Sequence, residues 1–134
     1  MAFAEAATVV FLKRLYFPEG WRAPFHSIPP DAMRLEQGRE LATLLAIVSV
    51  AAHGRPGMKE GIARGLWIAG LWDLAYYALL RSLTGFPSTV SDLDVVFLLP
   101  RAWILPVWVP LLGSLAAMAV ALRLRRRRAP SGVC

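Results

Sequence analysis

The sequence predicts an all-α fold, an integral membrane helical bundle with three transmembrane helices, a shorter N-terminal helix and a short interfacial segment between the third and fourth helices. Composition is the first reason: 57% of the 134 residues are hydrophobic, whereas a soluble domain is about 45–50% apolar even with glycine counted. The second reason is that four apolar segments are separated by turns rich in proline and glycine. We therefore expect one membrane domain over residues 1–134.

The charge pattern also favours a membrane. The net charge of +6 comes from 15 basic and 9 acidic residues, and five arginines directly follow the last apolar segment: Arg123, Arg125, Arg126, Arg127 and Arg128. Arginines at the end of a membrane-spanning helix typically face anionic headgroups on the cytoplasmic side. Residues 123–134 are thus expected to form a basic cytoplasmic tail that anchors to the lipid bilayer, and no nucleic-acid partner is expected.

The first helix is predicted over about residues 2–17. It is short for a span and carries Glu5, Lys13 and Arg14. A short tilted span, an interfacial helix and a partly buried helix therefore all stay open. The sequence FPEG at residues 17–20 ends this helix, because proline and glycine in quick succession interrupt helical hydrogen bonding.

The second helix is predicted over about residues 32–52, with Asp31 as its N-cap. Its second half is uniformly apolar, but its first half is charged. Glu36 and Glu40 lie four residues apart on one face, and Arg39 is adjacent to that face. For Glu36, a solvated helix end and a buried role both stay open.

The third helix is predicted over about residues 58–83. Gly61 and Gly65 form a GxxxG motif, which permits close approach of two helices in a membrane. Asp73 lies near the middle of the apolar segment at residues 62–80 of this helix. Because a carboxylate at membrane depth costs about 2.5–3.5 kcal/mol on insertion scales, such residues usually face the protein interior. We expect Asp73 to face inward.

A segment of mixed polarity follows the third helix. It is too short to cross a bilayer, and we expect Asp92 and Asp94 to cap or hydrogen-bond an interfacial element there. The fourth helix is predicted over about residues 103–123. Pro106 and Pro110 would then fall in its first turns, where proline is tolerated or produces a kink.

The polar side chains of the helices are expected to converge in a buried polar cluster. Glu5, Glu40 and Asp73 would meet there, with Arg14 and Arg39 as counter-charges. Tyr76 and Tyr77 follow Asp73 by three and four residues, so their hydroxyls could donate to its carboxylate. Satisfied hydrogen bonds that only join helices, and a buried acid that exchanges protons or holds a cation, both stay open.

The residue pattern does not favour catalytic or metal chemistry. Carboxylate-bridged metal sites in bundles usually contain ExxH, but Arg39 stands three residues after Glu36, and His26 and His53 lie in different loops. No catalytic triad or phosphate-binding loop is found, and Cys134 is the only cysteine. We therefore expect no metal site and no catalytic residues, while the cofactor stays open between none and a pigment or quinone.

Five segments of the sequence resemble those of a known group of proteins. In chain order they are EAATVVFLKRLYFPEG, EQGRELATLL, WDLAYY, GFPSTVSDLDVVFLLP and WILPVWVP. With them the chain resembles a group of small bacterial polytopic inner-membrane proteins that has no assigned function. The most specific motifs are WDxxYY and DxxFLxP. The resemblance implies a bacterial inner-membrane location, and it implies that the group's polar motif positions are Glu5, Arg14, Glu36, Arg39, Glu40, Asp73, Tyr76, Tyr77 and Asp94.

Three functions follow as expectations. The leading one is a non-enzymatic structural or accessory protein that packs against itself or a larger membrane complex through Gly61, Gly65 and its aromatic faces. The alternative is a proton- or cation-handling transporter or channel that uses Asp73 with Glu5 and Glu40. The third is a membrane enzyme acting on a lipid or quinone, for which the sequence offers no nucleophile and base.

Overall fold

Helices dominate the computed structural model, which describes residues 2–16, 29–96 and 103–126. They are α1 (Ala2–Tyr16), α2 (Pro30–Ala52), α3 (Met58–Thr84) and α4 (Trp108–Arg126). A small antiparallel hairpin of β1 (Leu93–Val96) and β2 (Trp103–Pro106) lies between α3 and α4. The predicted helical bundle is confirmed, with this hairpin as an addition.

One helix in the described part of the chain is long and apolar enough to cross a membrane. It is α4, and only 11% of its apolar window is buried inside the protein. The sequence predicted three such helices. Both α2 and α3 are long enough, but their hydropathy is too low. The charged first half of α2 and the acidic and aromatic residues of α3 reduce it. The N-terminal helix contributes a shorter apolar stretch, Ala2–Phe11.

The central element of the bundle is α3, which packs against α1, α2 and α4. It packs closely against α4 at Gly70, which is buried. A Cβ atom at Gly70 would lie 2.7 Å from both the Met118 Cγ and the Ser114 carbonyl oxygen. Only glycine therefore permits this helix crossing without a shift of the α4 backbone.

The GxxxG motif of α3 packs less tightly. A Cβ at Gly65 would lie 3.7 Å from the Ala51 Cβ, and a Cβ at Gly61 would lie 3.7 Å from the Pro56 Cγ. These are ordinary van der Waals distances to the end of α2 and the following turn. Both glycines thus pack against residues of the same chain.

Two helix starts differ from the sequence-based expectation. The N-cap of α2 is Pro29 rather than Asp31, and no side chain caps that end. The fourth helix begins at Trp108 rather than near Trp103, because residues Trp103–Pro106 pair in register with β1. The last predicted residue of the first helix, Phe17, lies outside the described residues.

The bundle carries large apolar side chains on its outside. Phe11 is 70% exposed and Val48 is 63% exposed, and other exposed aliphatic residues lie along α2 and α4. The fully or nearly fully buried apolar residues are few and mostly small: Ala6, Ala63, Leu80, Val107 and Ala121. Many large apolar side chains among the described residues are therefore exposed, and the core is made mainly of small ones.

Candidate functional site

A bridge between α1 and α2 forms one side of the polar site. The Arg39 guanidinium pairs with the Glu5 carboxylate on α1, and its Nη2 and Nε donate to Glu36 Oε2 at 2.6 and 3.0 Å. The Thr43 hydroxyl donates a further hydrogen bond to Glu5. Because Glu36, Arg39 and Thr43 are spaced three and four residues apart, they share one face of α2 and can reach Glu5 together.

Glu36 has one carboxylate oxygen that this bridge leaves without a partner. The residue is buried, with 6% of its surface exposed. Its Oε2 accepts both bonds from Arg39, whereas Oε1 is buried and accepts no hydrogen bond. Buried polar atoms in proteins nearly always have a partner, so this oxygen is unusual.

A second pair joins α3 to the hairpin. The Tyr77 hydroxyl donates to Asp94 Oδ2 at 3.0 Å, and both residues are buried. The other oxygen, Asp94 Oδ1, accepts the backbone N–H of Val95 at 2.9 Å. Asp94 is therefore held by α3 and by its own strand, which positions the hairpin against the bundle.

A third pair joins α3 to α4. The Ser114 hydroxyl donates to Asp73 Oδ2 at 2.6 Å. Ser114 is buried and Asp73 is half-buried. Asp73 thus lies between two helices, with a partner from α4 rather than from α1 or α2.

Tyr76 lies near residues of the bridge and of both pairs. Its ring stacks with Trp72 at a centroid distance of 6.4 Å and meets Tyr77 edge-on at 5.0 Å. Its phenol also lies within electrostatic range of four charged residues: Glu36, Arg39, Asp73 and Asp94. The indole Nε1 of Trp72 is a buried donor without an acceptor.

The structure brings together most of the predicted cluster. Seven residues meet around Tyr76 or the Arg39 bridge: Glu5, Glu36, Arg39, Asp73, Tyr76, Tyr77 and Asp94. Glu40 is half-buried and lies within electrostatic range of Glu36 and Arg39. Arg14, in contrast, is exposed on α1.

The predicted basic tail begins in the last turn of α4. Arg123, Arg125 and Arg126 form its last turn, and all three are exposed. Arg127, Arg128 and the remainder of the predicted tail lie outside the described residues, as does His26. The His53 carbonyl oxygen accepts a 3.0 Å hydrogen bond from Arg64, and His53 itself is exposed in the turn after α2.

Two hydroxyl donors, Thr43 and Ser114, were not predicted from the sequence. Each is a small polar residue within an apolar stretch of its helix, which is a common and unspecific pattern. Thr43 could have been found from its spacing, because it shares a helical face with Arg39. Ser114 has no comparable local signal, since its acid is on another helix.

A separate polar turn shapes the connection from α3 to β1. The side chain of Asp92 accepts a hydrogen bond from the Thr89 hydroxyl at 2.6 Å and from the Ser88 hydroxyl and N–H at 2.8 and 2.7 Å. These bonds, with Thr89 the largest contributor, hold the pKa of the Asp92 carboxyl well below its usual range. Asp92 therefore stabilises this turn as a carboxylate.

The arrangement favours hydrogen bonding between helices over metal chemistry. In the described ranges, no three His, Cys, Asp or Glu side chains are placed to hold a metal ion. In the site, Glu5, Asp73 and Asp94 accept hydrogen bonds from neighbouring elements. Glu36 accepts its hydrogen bonds from Arg39 of its own helix and has one unpartnered carboxylate oxygen. Comparisons with models of protein families, with curated proteins and with solved structures find no significant match to this chain.

Proposed function

We propose that this protein is a membrane-embedded helical bundle with a non-enzymatic structural or accessory role. The observation that carries this proposal is that the polar residues are used to join elements. Thr43 bonds Glu5 between α2 and α1, Tyr77 bonds Asp94 between α3 and β1, and Ser114 bonds Asp73 between α4 and α3. In membranes such bonds contribute about 0.6 kcal/mol on average, so together they specify how the helices assemble.

The outer surface supports a bilayer location. Exposed large apolar residues lie on every helix, and lipid tails would cover them at no cost. α2 and the aromatic-rich α3 would then cross with α4, since Asp73 near the middle of α3 is hydrogen-bonded to Ser114 rather than facing lipid. This gives the three spans and the shorter α1 of a multi-pass protein.

The arginines at the end of α4 support an orientation. Arg123, Arg125 and Arg126 form the last turn of the helix that is long and apolar enough to cross a membrane, and basic residues beside a span favour the cytoplasmic side. We expect a green fluorescent protein fused after Cys134 to fluoresce in a bacterial inner membrane, and alkaline phosphatase fused there to be inactive. An active phosphatase fusion would overturn this orientation.

An accessory role needs a surface for a second copy or a larger complex. Leu41, Leu45 and Val48 form an exposed stripe on α2, spaced four and three residues apart, and Leu112 and Leu115 are exposed on α4. Either stripe can pack against another transmembrane helix. The Gly61 and Gly65 positions contribute less than the sequence suggested, because they border Pro56 and Ala51 of the same chain.

Cysteine crosslinking in native membranes tests the accessory role. Cys134 is the only cysteine, so a Cys134→Ser background allows one new cysteine at Val48 or at Leu115. A bifunctional maleimide should then capture a second copy or a stoichiometric partner from one stripe but not the other. A monomer that crosslinks to nothing from either stripe, and co-purifies alone in detergent-free polymer nanodiscs, would refute the proposal.

A second candidate function is proton or cation handling, and one observation favours it. The unpartnered Oε1 of Glu36 lies in the cluster, whereas Asp73, the residue that the sequence favoured, already accepts a hydrogen bond from Ser114. Flux through proteoliposomes should therefore be lost in Glu36→Gln and largely kept in Asp73→Asn. Equal flux in wild type and Glu36→Gln would exclude this function.

A further inference from the structure

We infer that Glu36 is an exchangeable binding site for a single positive charge, a proton or a monovalent cation, inside the bundle. The inference stands apart from the accessory role, because a site of this kind does not depend on any partner protein. It rests on the Arg39 bridge and on the buried oxygen that the bridge leaves without a donor.

Charge balance is the first argument. The bridge contains two carboxylates, Glu5 and Glu36, and one guanidinium, Arg39. With both acids ionised, these three side chains carry one uncompensated negative charge in a buried position. An unpaired buried charge is strongly unfavourable. One bound positive charge neutralises the trio.

The hydrogen bonds show which acid takes that charge. Glu5 receives the Arg39 guanidinium and the Thr43 hydroxyl. Asp73 and Asp94 receive the hydroxyls of Ser114 and Tyr77. Of these acids, only Glu36 has a buried oxygen that accepts nothing. A proton or cation at Oε1 would remove the unfavourable free energy of a buried oxygen without a partner.

The other groups around Glu36 favour a positive occupant. Glu5 faces it from α1 through Arg39, and Glu40 lies within electrostatic range on α2. Tyr76 approaches from α3, within range of Glu36 and of Asp94 on β1. Arg39 is the one cation among these described neighbours, and both ends of its guanidinium are already engaged by carboxylates.

Infrared spectroscopy of the protein in lipid nanodiscs tests this inference. In sodium-free and potassium-free buffer at neutral pH, wild type should show a protonated carboxylic C=O band that shifts in D2O. The band should be lost in Glu36→Gln and kept in Asp31→Asn, a matched control because the Asp31 side chain is 96% exposed. Helical content by circular dichroism verifies that both variants fold.

Added salt distinguishes the two occupants. If the occupant is a proton only, the band persists when NaCl or KCl is added. If a metal cation competes, the band is replaced by a carboxylate band that is absent from Glu36→Gln. A wild type that shows no protonated C=O band assignable to Glu36, and a Glu36 carboxylate band that added NaCl or KCl leaves unchanged, would overturn the inference.

Chemical labelling of the unmodified protein gives a second measurement that needs no variant. The O–H of a protonated carboxylic acid adds across a C=N bond of a hydrophobic carbodiimide to give an O-acylisourea. This adduct rearranges by O-to-N acyl transfer to a stable N-acylurea that mass spectrometry locates. We expect the label on Glu36 and little on the exposed Asp31. Cation binding would reduce the labelling of Glu36. Labelling at other acids with none at Glu36, with or without added cation, would also overturn the inference.

Discussion

The Ser114 hydroxyl on α4 donates a 2.6 Å hydrogen bond to the Asp73 carboxylate on α3. The same serine presents its carbonyl oxygen to Gly70, one helical turn before the acid, where a Cβ would lie 2.7 Å away. The polar contact and a close approach of the two helices therefore coincide. Asp73 is tolerated in an apolar helix because α4 comes close enough to give it a donor.

Removing that donor should destabilise the bundle. Ser114→Ala leaves Asp73 without the α4 hydroxyl, and we expect a loss of about 0.6–1.7 kcal/mol, the average and the upper end for such bonds in membranes. Steric trapping in bicelles measures the free energy of unfolding. Ser49→Ala is the control, because the Ser49 hydroxyl bonds only the Leu45 carbonyl of its own helix. Equal losses in the two variants would contradict this role of Ser114.

Substituting Gly70 should separate α3 from α4. In Gly70→Ala the new methyl group meets the backbone of Ser114 and the side chain of Met118, and overpacking of this kind costs about 1–3 kcal/mol. Gly38→Ala is the matched control, since nothing lies within 4 Å of its Cβ position and alanine is the better helix former by about 1 kcal/mol. The two substitutions should thus change the unfolding free energy in opposite directions. An unchanged unfolding free energy in Gly70→Ala would show that α3 and α4 do not pack closely at Gly70.

The Arg39 bridge should contribute more than a surface ion pair. Arg39→Met leaves Glu5 and Glu36 buried without their cation. Breaking a buried pair costs about 3–5 kcal/mol, and we expect the lower end because 26% of the Arg39 side chain is exposed. Adding Glu5→Gln should recover part of the loss by removing one charge.

Arg34→Met is the control for that substitution. The pair of Arg34 with Asp31 is at 3.9 Å and largely exposed, so its loss should cost less than about 1 kcal/mol. The same unfolding assay compares the three variants. A penalty for Arg39→Met no larger than that for Arg34→Met would mean that the bridge is not a buried one.

The Asp92 turn should give a defined pH dependence. Its pKa is lowered by hydrogen bonds from Thr89 and Ser88, so the folded state binds its proton less readily than the unfolded state. Its stabilisation is then complete above the unfolded value of about 3.9 and is lost as the pH falls further. The difference in melting temperature between wild type and Asp92→Asn should be constant from pH 7 to 5 and should shrink below pH 4. A difference that grows on acidification would contradict this assignment.

Much of the helical architecture could be predicted, because its determinants are local. The third helix, predicted over residues 58–83, spans Met58–Thr84, and Gly85 ends it in a left-handed conformation with φ of 74°. The hairpin was not predicted. The stretch at Trp103–Pro106 reads as an apolar helix start, but pairing with β1 determines its conformation, and the sequence around Trp103 does not specify that partner.

Composition, helical spacing and the breaks at proline and glycine by themselves determined a small apolar helical chain with a few acids on its helices. The tertiary structure alone decided which hydroxyl donors Glu5 and Asp73 receive from other helices. Thr43 is 38 positions from Glu5, and Ser114 is 41 positions from Asp73. Spacing along a helix defines which residues share a face, but which faces meet depends on packing, here on the approach that Gly70 permits. The unpartnered Oε1 of Glu36 is likewise a result of packing, because Arg39 donates only to Glu36 Oε2 and to Glu5, and Thr43 donates to Glu5.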